Sequence, residues 1–142
     1  IFTFFVFIYI SAPGIGARFY KIFVLERQFM NLLYISPEFP PNFGNFIVSL
    51  AQAGVKVWAI GEADFFSMPK NIRQSLQWYV QTNPNNFEAV VDAIEKMKYH
   101  RSCLAQEGLS IVESHNEHWL RLESHLHELY NLDDIKTDRI NF

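Results

Sequence analysis

Two short polar segments carry the residue types that could take part in chemistry. The first is S-P-E-F-P-P-N at residues 36–42, and the second is E-S-H-N-E at residues 113–117. Carboxylate, hydroxyl, imidazole and amide groups can bind a small polar ligand through charge and hydrogen bonds. The chain has no G-x-x-x-x-G-K-[ST], G-x-S-x-G or H-E-x-x-H pattern. The two segments therefore point to binding, and we assign no catalytic residue.

The residues around the first segment predict the elements that position it. Residues 31–35 form a short apolar strand, which the prolines of the segment end. Apolar residues at helical spacing follow, and Gly54 stops the helix before a second apolar strand that ends at Gly61. Strand, helix and strand of this length form a right-handed βαβ unit. Because ligands of such sheets lie beyond the carboxyl ends of the strands, the 36–42 loop and Gly61 with Glu62 belong to the functional edge.

The alternation of strands and helices continues to the end of the chain. A third strand is predicted at residues 78–80, one long helix between Asn85 and Gly108, a fourth strand at residues 109–112 and a last helix from Trp119. Four such rounds predict an α/β, Rossmann-like three-layer sandwich, with a parallel sheet of about four strands and helices on both faces.

The second polar segment follows the fourth strand directly. Both segments therefore belong to the same edge, and we expect them at the ends of neighbouring strands. Ser114 and Glu117 match the S-x-x-E pattern, so Ser114 is expected to cap the last helix. Glu113 is expected to be partly exposed at the rim of the site.

The histidines and the cysteine do not indicate a metal or a redox centre. His125 and His127 are two positions apart on a predicted helix and point to different sides, so they cannot converge on one ion. We expect solvated helix histidines and no metal site. The single cysteine, Cys103, excludes an internal disulfide framework and fits an ordinary thiol in a reducing compartment.

The first 29 residues differ from the rest of the chain. They contain half of the 14 phenylalanines, and their apolar run is shorter than the roughly 20 residues of a membrane helix. The P-G-I-G-A stretch at residues 13–17 lacks the third glycine of a dinucleotide fingerprint. We predict that Met30 is the natural start and that residues 1–29 are extraneous; the alternative is an apolar extension that packs on the domain. The net charge of −3 gives no reason to expect nucleic acid or an anionic membrane as a partner.

Three motifs resemble those of a known family. They are M-N-L-L-Y-I-S-P-E-F-P-P-N-F from Met30, G-V-K-V-W-A-I-G-E from Gly54 and E-S-H-N-E-H-W-L-R-L-E from Glu113. In this order they resemble the N-terminal, pre-ATP-grasp domain of ATP-grasp ligases, nearest to the biotin-carboxylase-like group. The family activates a carboxylate with ATP to an acyl phosphate, which a nucleophile then attacks. The resemblance implies that residues 30–142 are a fragment of a longer cytoplasmic ligase, whose later domains bind ATP and Mg²⁺.

The resemblance also implies which residues line the substrate end of the site. This domain would hold no cofactor of its own and would be inactive alone, with the downstream ATP-grasp domains and a small carboxylate substrate as its partners. The implied substrate-binding residues are Ser36, Pro37, Phe39, Pro40, Gly61, Glu113, Ser114, Asn116 and Glu117.

Two other functions stay open from the sequence. The I-S-P-E-F-P-P segment also resembles the N-terminal half of glycosyltransferases that use nucleotide sugars, although these usually carry paired glycines just after the prolines. Here the corresponding residues are N-F-G-N at positions 42–45. A binding or interaction domain without chemistry is the third possibility.

Overall fold

The computed structural model describes residues 4–12, 16–24, 30–39, 41, 44–132 and 140–141. Side chains are described for residues 30–39, 41 and 44–132, Cys103 excepted. The expectations for Pro40 and for residues 13–15 of the P-G-I-G-A stretch therefore lie outside the described residues. The elements are β1 (Phe4–Ala12), β2 (Gly16–Val24), β3 (Asn31–Ile35), α1 (Gly44–Gln52), β4 (Lys56–Gly61), α2 (Lys70–Ser75), β5 (Leu76–Gln81), α3 (Phe87–His100), α4 (Ser102–Glu107), β6 (Ile111–Glu113), α5 (Leu120–Leu129) and β7 (Ile140–Asn141).

The central element is a four-stranded parallel sheet with the order β5-β4-β3-β6. The chain lays down β3, β4 and β5 in one direction and then returns to place β6 on the other side of β3. The strand order therefore reverses between β3 and β6, which is the topological switch point of a doubly wound sheet. The predicted parallel sheet of about four strands is confirmed.

Apolar side chains cover both faces of the sheet. Alternate residues of β3 point to opposite faces, so Leu32 and Leu33 belong to different cores. On one face the strands pack against α1 through Ile47 and Leu50, and on the other against α3 and α5 through Ile94 and Leu126. The three-layer arrangement follows, because a sheet that is apolar on both faces must be covered twice.

A buried amide closes the amino end of the sheet. The Nδ2 group of Asn31 donates to Oε2 of Glu107 and to the Gly108 carbonyl, each at 3.0 Å, and Oδ1 accepts from the Trp58 indole at 2.9 Å. Asn31 is fully buried, so these bonds offset the cost of removing its amide from water. They also join β3 to β4 and to the end of α4.

The predicted long helix between residues 85 and 108 is divided in two. Arg101 has extended backbone angles (φ −127°, ψ 97°) between α3 and α4, and its guanidinium lies 4.8 Å from the ring centre of Trp78. After this break Leu104 is fully buried in the core. The prediction of one continuous helix was wrong. The spacing of apolar residues continues across Arg101, so it gives no sign that this single residue has extended backbone angles.

A second sheet contains the remaining strands. β1 and β2 pair antiparallel over their whole length, and β7 pairs with β2. The prediction that residues 1–29 are extraneous is not tested by these pairings and stays a prediction. Within the described residues, none of the helices has the length and apolarity that a membrane crossing requires.

Candidate functional site

The two polar segments lie side by side at the carboxyl edge of the sheet. β3 and β6 are parallel neighbours, and Tyr34 of β3 is paired with Glu113 of β6. The loops that follow these strands therefore leave the sheet at the same edge, on either side of the switch point. This confirms the predicted placement of the two segments at the ends of neighbouring strands.

The loop after β3 turns sharply at its first residue. Ser36 has φ 57°, a left-handed conformation that residues other than glycine adopt rarely, and its N–H donates to the Ile60 carbonyl at 2.8 Å. Pro37 is buried behind it, whereas the Phe39 side chain is 58% exposed. Of the predicted ligand-lining residues of this loop, Ser36 and Pro37 are therefore buried in the turn, whereas the ring of Phe39 is exposed.

Glu113 is buried, with 3% of its surface exposed. Its Oε1 accepts hydrogen bonds from the backbone N–H groups of Ser114 and His115, each at 3.1 Å. The prediction that Glu113 is partly exposed at the rim was therefore wrong. The carboxylate turns inward because the amides of its own loop supply the donors that water would otherwise supply.

His115 connects the two loops. It has φ 55° and is buried, and its Nδ1 lies 3.0 Å from the hydroxyl oxygen of Tyr34. Its ring packs at nearly a right angle against that of Phe46 of α1, with 4.2 Å between the ring centres. A left-handed residue held by packing on two elements is a strained position of the kind that clusters at ligand sites.

Ser114 does not cap the last helix. Its hydroxyl donates to Oε1 of Glu123 on α5 and accepts from the N–H of Asn116 at 3.2 Å. Asn116 is the cap instead, since its Oδ1 accepts from the N–H of His118 at 3.0 Å and a 3-10 turn (Glu117–Trp119) precedes α5. The capping prediction was wrong by two residues because Ser114 is fully buried and its hydroxyl serves the tertiary contact. Glu117 is exposed.

Gly61 touches the loop after β3 through Glu38. A β-carbon at Gly61 would lie 2.7 Å from Oε2 and 3.0 Å from Oε1 of Glu38, and 3.0 Å from the Tyr79 hydroxyl oxygen. The glycine therefore leaves the space that the Glu38 carboxylate occupies. Tyr79 lies on β5, so this contact joins three strand ends.

The pKa of the Tyr79 hydroxyl reflects the negative charge at the ends of β4 and β5. Burial raises the pKa of Tyr79 above its ordinary value, and the negative charges of Glu38, Asp64 and Glu62 raise the pKa further. The hydroxyl stays protonated and donates to the Ala63 carbonyl at 2.6 Å. The edge near β4 and β5 is thus negatively charged.

The histidines do not assemble a metal centre within the described part of the chain. No group of three histidine, cysteine, aspartate or glutamate side chains in residues 30–132, Cys103 apart, could hold an ion. His125 is exposed and packs on Phe87, but His127 is only partly exposed, and its Nε2 accepts from the Val112 N–H at 3.1 Å. The expectation of a solvated side chain was wrong for His127, which ties α5 to β6.

Sequence reasoning gave no role to three residues of this edge. Glu38 lies inside a motif segment, and a carboxylate at a strand end was the available signal. Glu123 falls on the apolar stripe of Trp119, Leu122 and Leu126, where a charge is unexpected. Nothing in the sequence marked Tyr79 as a site residue, because an aromatic residue is ordinary within a predicted strand.

Comparison of the chain with protein-family models, with curated proteins and with solved structures finds no match.

Proposed function

We propose that residues 30–142 are the substrate-side N-terminal domain of an ATP-grasp ligase that activates a carboxylate as an acyl phosphate. The observation that carries the proposal is the meeting of two motif loops at the switch point. In this proposal S-P-E-F-P and E-S-H-N-E form one wall of the substrate site, and Phe39, Asn116 and Glu117 are the residues of that wall with accessible side chains. Ser36, Glu113 and Ser114 are buried and support the wall from behind.

The remaining parts of the reaction belong to other domains in this proposal. Downstream ATP-grasp domains of the same polypeptide bind ATP and Mg²⁺ and transfer the phosphoryl group to the carboxylate. The domain described here shapes the pocket for the carboxylate and for its nucleophile. A cytoplasmic protein fits the single cysteine and the dependence on ATP.

One contact weighs against the glycosyltransferase alternative. Those enzymes usually carry paired glycines just after the prolines. In this chain a β-carbon at Gly44 would overlap Cδ1 of Ile72 on α2. Gly44 therefore permits helix packing, and its open side is filled by the protein itself.

The proposal is tested on the full-length polypeptide encoded with this domain. The protein is incubated with Mg-ATP, a panel of small carboxylates and hydroxylamine, which captures an acyl phosphate as a hydroxamate. We expect ADP release and hydroxamate formation that both depend on one class of carboxylate. Binding of a nucleotide sugar without ATP turnover would favour the glycosyltransferase, and neither activity would favour a binding domain.

Within that enzyme Asn116→Ala tests the position of the wall. We expect it to raise the carboxylate KM more than the ATP KM, because Asn116 lies at the substrate end. Glu88→Gln on the exposed face of α3 is the matched control and should change neither KM. Unchanged values for Asn116→Ala would assign the loop a purely structural role.

A further inference from the structure

One carboxylate oxygen at the carboxyl edge is buried without a hydrogen-bond partner. It is Oε2 of Glu38, which has no partner among the described residues. A buried acceptor left without a donor costs about 1–3 kcal/mol, and more when it is charged. Folded proteins satisfy almost all such groups, so an exception calls for a cause, such as a missing water, ion or ligand.

The nearest donor is already in use. The Tyr79 hydroxyl approaches the same point above Gly61, but its one proton goes to the Ala63 carbonyl at 2.6 Å. Towards Glu38 the hydroxyl therefore presents a lone pair, which is a second acceptor. A ligand that donates more than one hydrogen bond would satisfy both acceptors.

The carboxylates around Tyr79 determine the sign of the charge that a ligand should carry. Glu62 and Asp64 are close enough to raise the pKa of Tyr79 together with Glu38. Arg73 of α2 donates its Nε to the Met68 carbonyl, and its guanidinium lies 5.9 Å from the ring centre of Phe65. A positively charged ligand fits this local excess of negative charge.

We propose that Glu38, with the Tyr79 hydroxyl beside it, binds the primary ammonium group of a small ligand. An ammonium group has three donors on a single atom and can serve both acceptors at once. A divalent metal fits less well, since the described residues offer no group of three ligating side chains here. Glu38 is only partly buried as a residue, so its side chain borders the surface of the loop.

Gly61 is part of this site because it keeps the carboxylate in place. A β-carbon at Gly61 would overlap Oε2 of Glu38 at 2.7 Å and would displace the flexible end of that side chain. Gly61→Ala is therefore a second variant that removes the site without changing any charge.

The binding of an ammonium group at Glu38 does not depend on the proposed function. If the proposed function holds, the site implies that the substrate or the nucleophile of the ligase carries a primary amine. The binding itself is measured on the 142-residue chain, whereas the ligase is tested on the full-length polypeptide. Hydroxamate formation without ammonium binding would reject the inference alone. Ammonium binding without ATP turnover would reject the ligase alone.

The test is a titration of the chain with n-butylammonium chloride, followed by two-dimensional NMR at constant ionic strength. We expect saturable shifts of the Glu38 and Gly61 amide signals and none with 1-butanol, which has the same chain without the charge. Glu38→Gln and Gly61→Ala should weaken binding about tenfold or more. Glu62→Gln, a control that removes a neighbouring but exposed charge, should weaken it less than about threefold.

Three results would overturn the inference. Equal binding by Glu38→Gln, with its spectrum otherwise unchanged, would remove Glu38 from the site. Equal binding of 1-butanol would show an apolar contact in place of an ammonium site. Displacement of butylammonium by Mg²⁺ at lower concentration would assign the corner to a divalent cation.

Discussion

The two ends of the parallel sheet handle buried polar groups in opposite ways. At the amino end Asn31 uses both parts of its amide, which join it to the end of α4 and to β4. At the carboxyl end Ser36 and His115 adopt left-handed backbone angles, and Oε2 of Glu38 is buried without a partner. The amino end is thus built for stability, whereas the carboxyl end retains strain and an unused acceptor, as ligand sites do.

The carboxyl end is itself divided between its two loops. After β6 the Glu113 carboxylate and the Ser114 hydroxyl are paired within the protein, through the bonds of Glu113 to its own loop and of Ser114 to Glu123. After β3 the carboxylate of Glu38 lies against Gly61. We infer that Glu113 and Ser114 of the β6 loop support the site, whereas Glu38 of the β3 loop meets the ligand.

The largest expected effect is at the amino end. Asn31→Ala removes three hydrogen bonds and leaves the Trp58 indole N–H and the Gly108 carbonyl without this partner. We expect a loss of about 3 kcal/mol in the free energy of unfolding, measured by urea denaturation. Trp58→Phe and the double variant complete a mutant cycle, and a coupling energy near zero would contradict the network.

His115→Ala should cost less, about 2 kcal/mol by the same measurement. The change removes the contact with the Tyr34 hydroxyl and the ring packing on Phe46, and leaves a small cavity. His115→Asn is the control for backbone strain, because asparagine tolerates left-handed angles better than alanine does. A cost below about 0.5 kcal/mol for His115→Ala would show that this residue does not hold the two loops together.

Gly61→Ala separates stability from binding at the carboxyl edge. We expect a cost of about 1 kcal/mol or less, since the flexible end of Glu38 can move away from the new methyl group. Binding of butylammonium should be lost in the same variant. Retained binding would place the ligand elsewhere, while a cost comparable to that of Asn31→Ala would make Gly61 a structural residue.

The smallest effect on stability is expected from Glu38→Gln. The carboxylate oxygen that it alters has no partner among the described residues, so the substitution should change the free energy of unfolding by less than about 0.5 kcal/mol or increase it. A decrease of about 2 kcal/mol would mean that Glu38 is already satisfied, and the contrast between the two ends of the sheet would fail.

The same variant has a second readout in the ionisation of Tyr79. Because the Glu38 charge helps to raise the pKa of Tyr79, Glu38→Gln should lower that pKa towards the ordinary value, as followed by ultraviolet absorbance above pH 10. A raised folded-state pKa means that the stabilising contribution of the protonated hydroxyl is present below about pH 10 and is lost as the pH rises further. An unchanged titration in the variant would show that Glu38 does not face Tyr79.

Within residues 30–132 the sequence by itself determined the succession of the four parallel strands along the chain, the parallel sheet and the edge at which the two motif loops meet. Apolar spacing and turn residues are local signals, and they predicted these features because each element must bury its own apolar face. The carboxyl ends of parallel strands share one edge, so the meeting of residues 36–42 with residues 113–117 needed no side-chain detail.

Only the tertiary structure decided what each polar side chain does at that edge. Glu113 turned inward, Asn116 capped the turn in place of Ser114, and Arg101 divided a predicted helix. The two loop side chains bond to backbone N–H groups of their own loop, and Arg101 lies against the ring of Trp78. Glu38 shows this most clearly: its unpaired oxygen arises where β3, β4 and β5 end together, and the partners of a side chain there are set by distance in space and not by position along the chain.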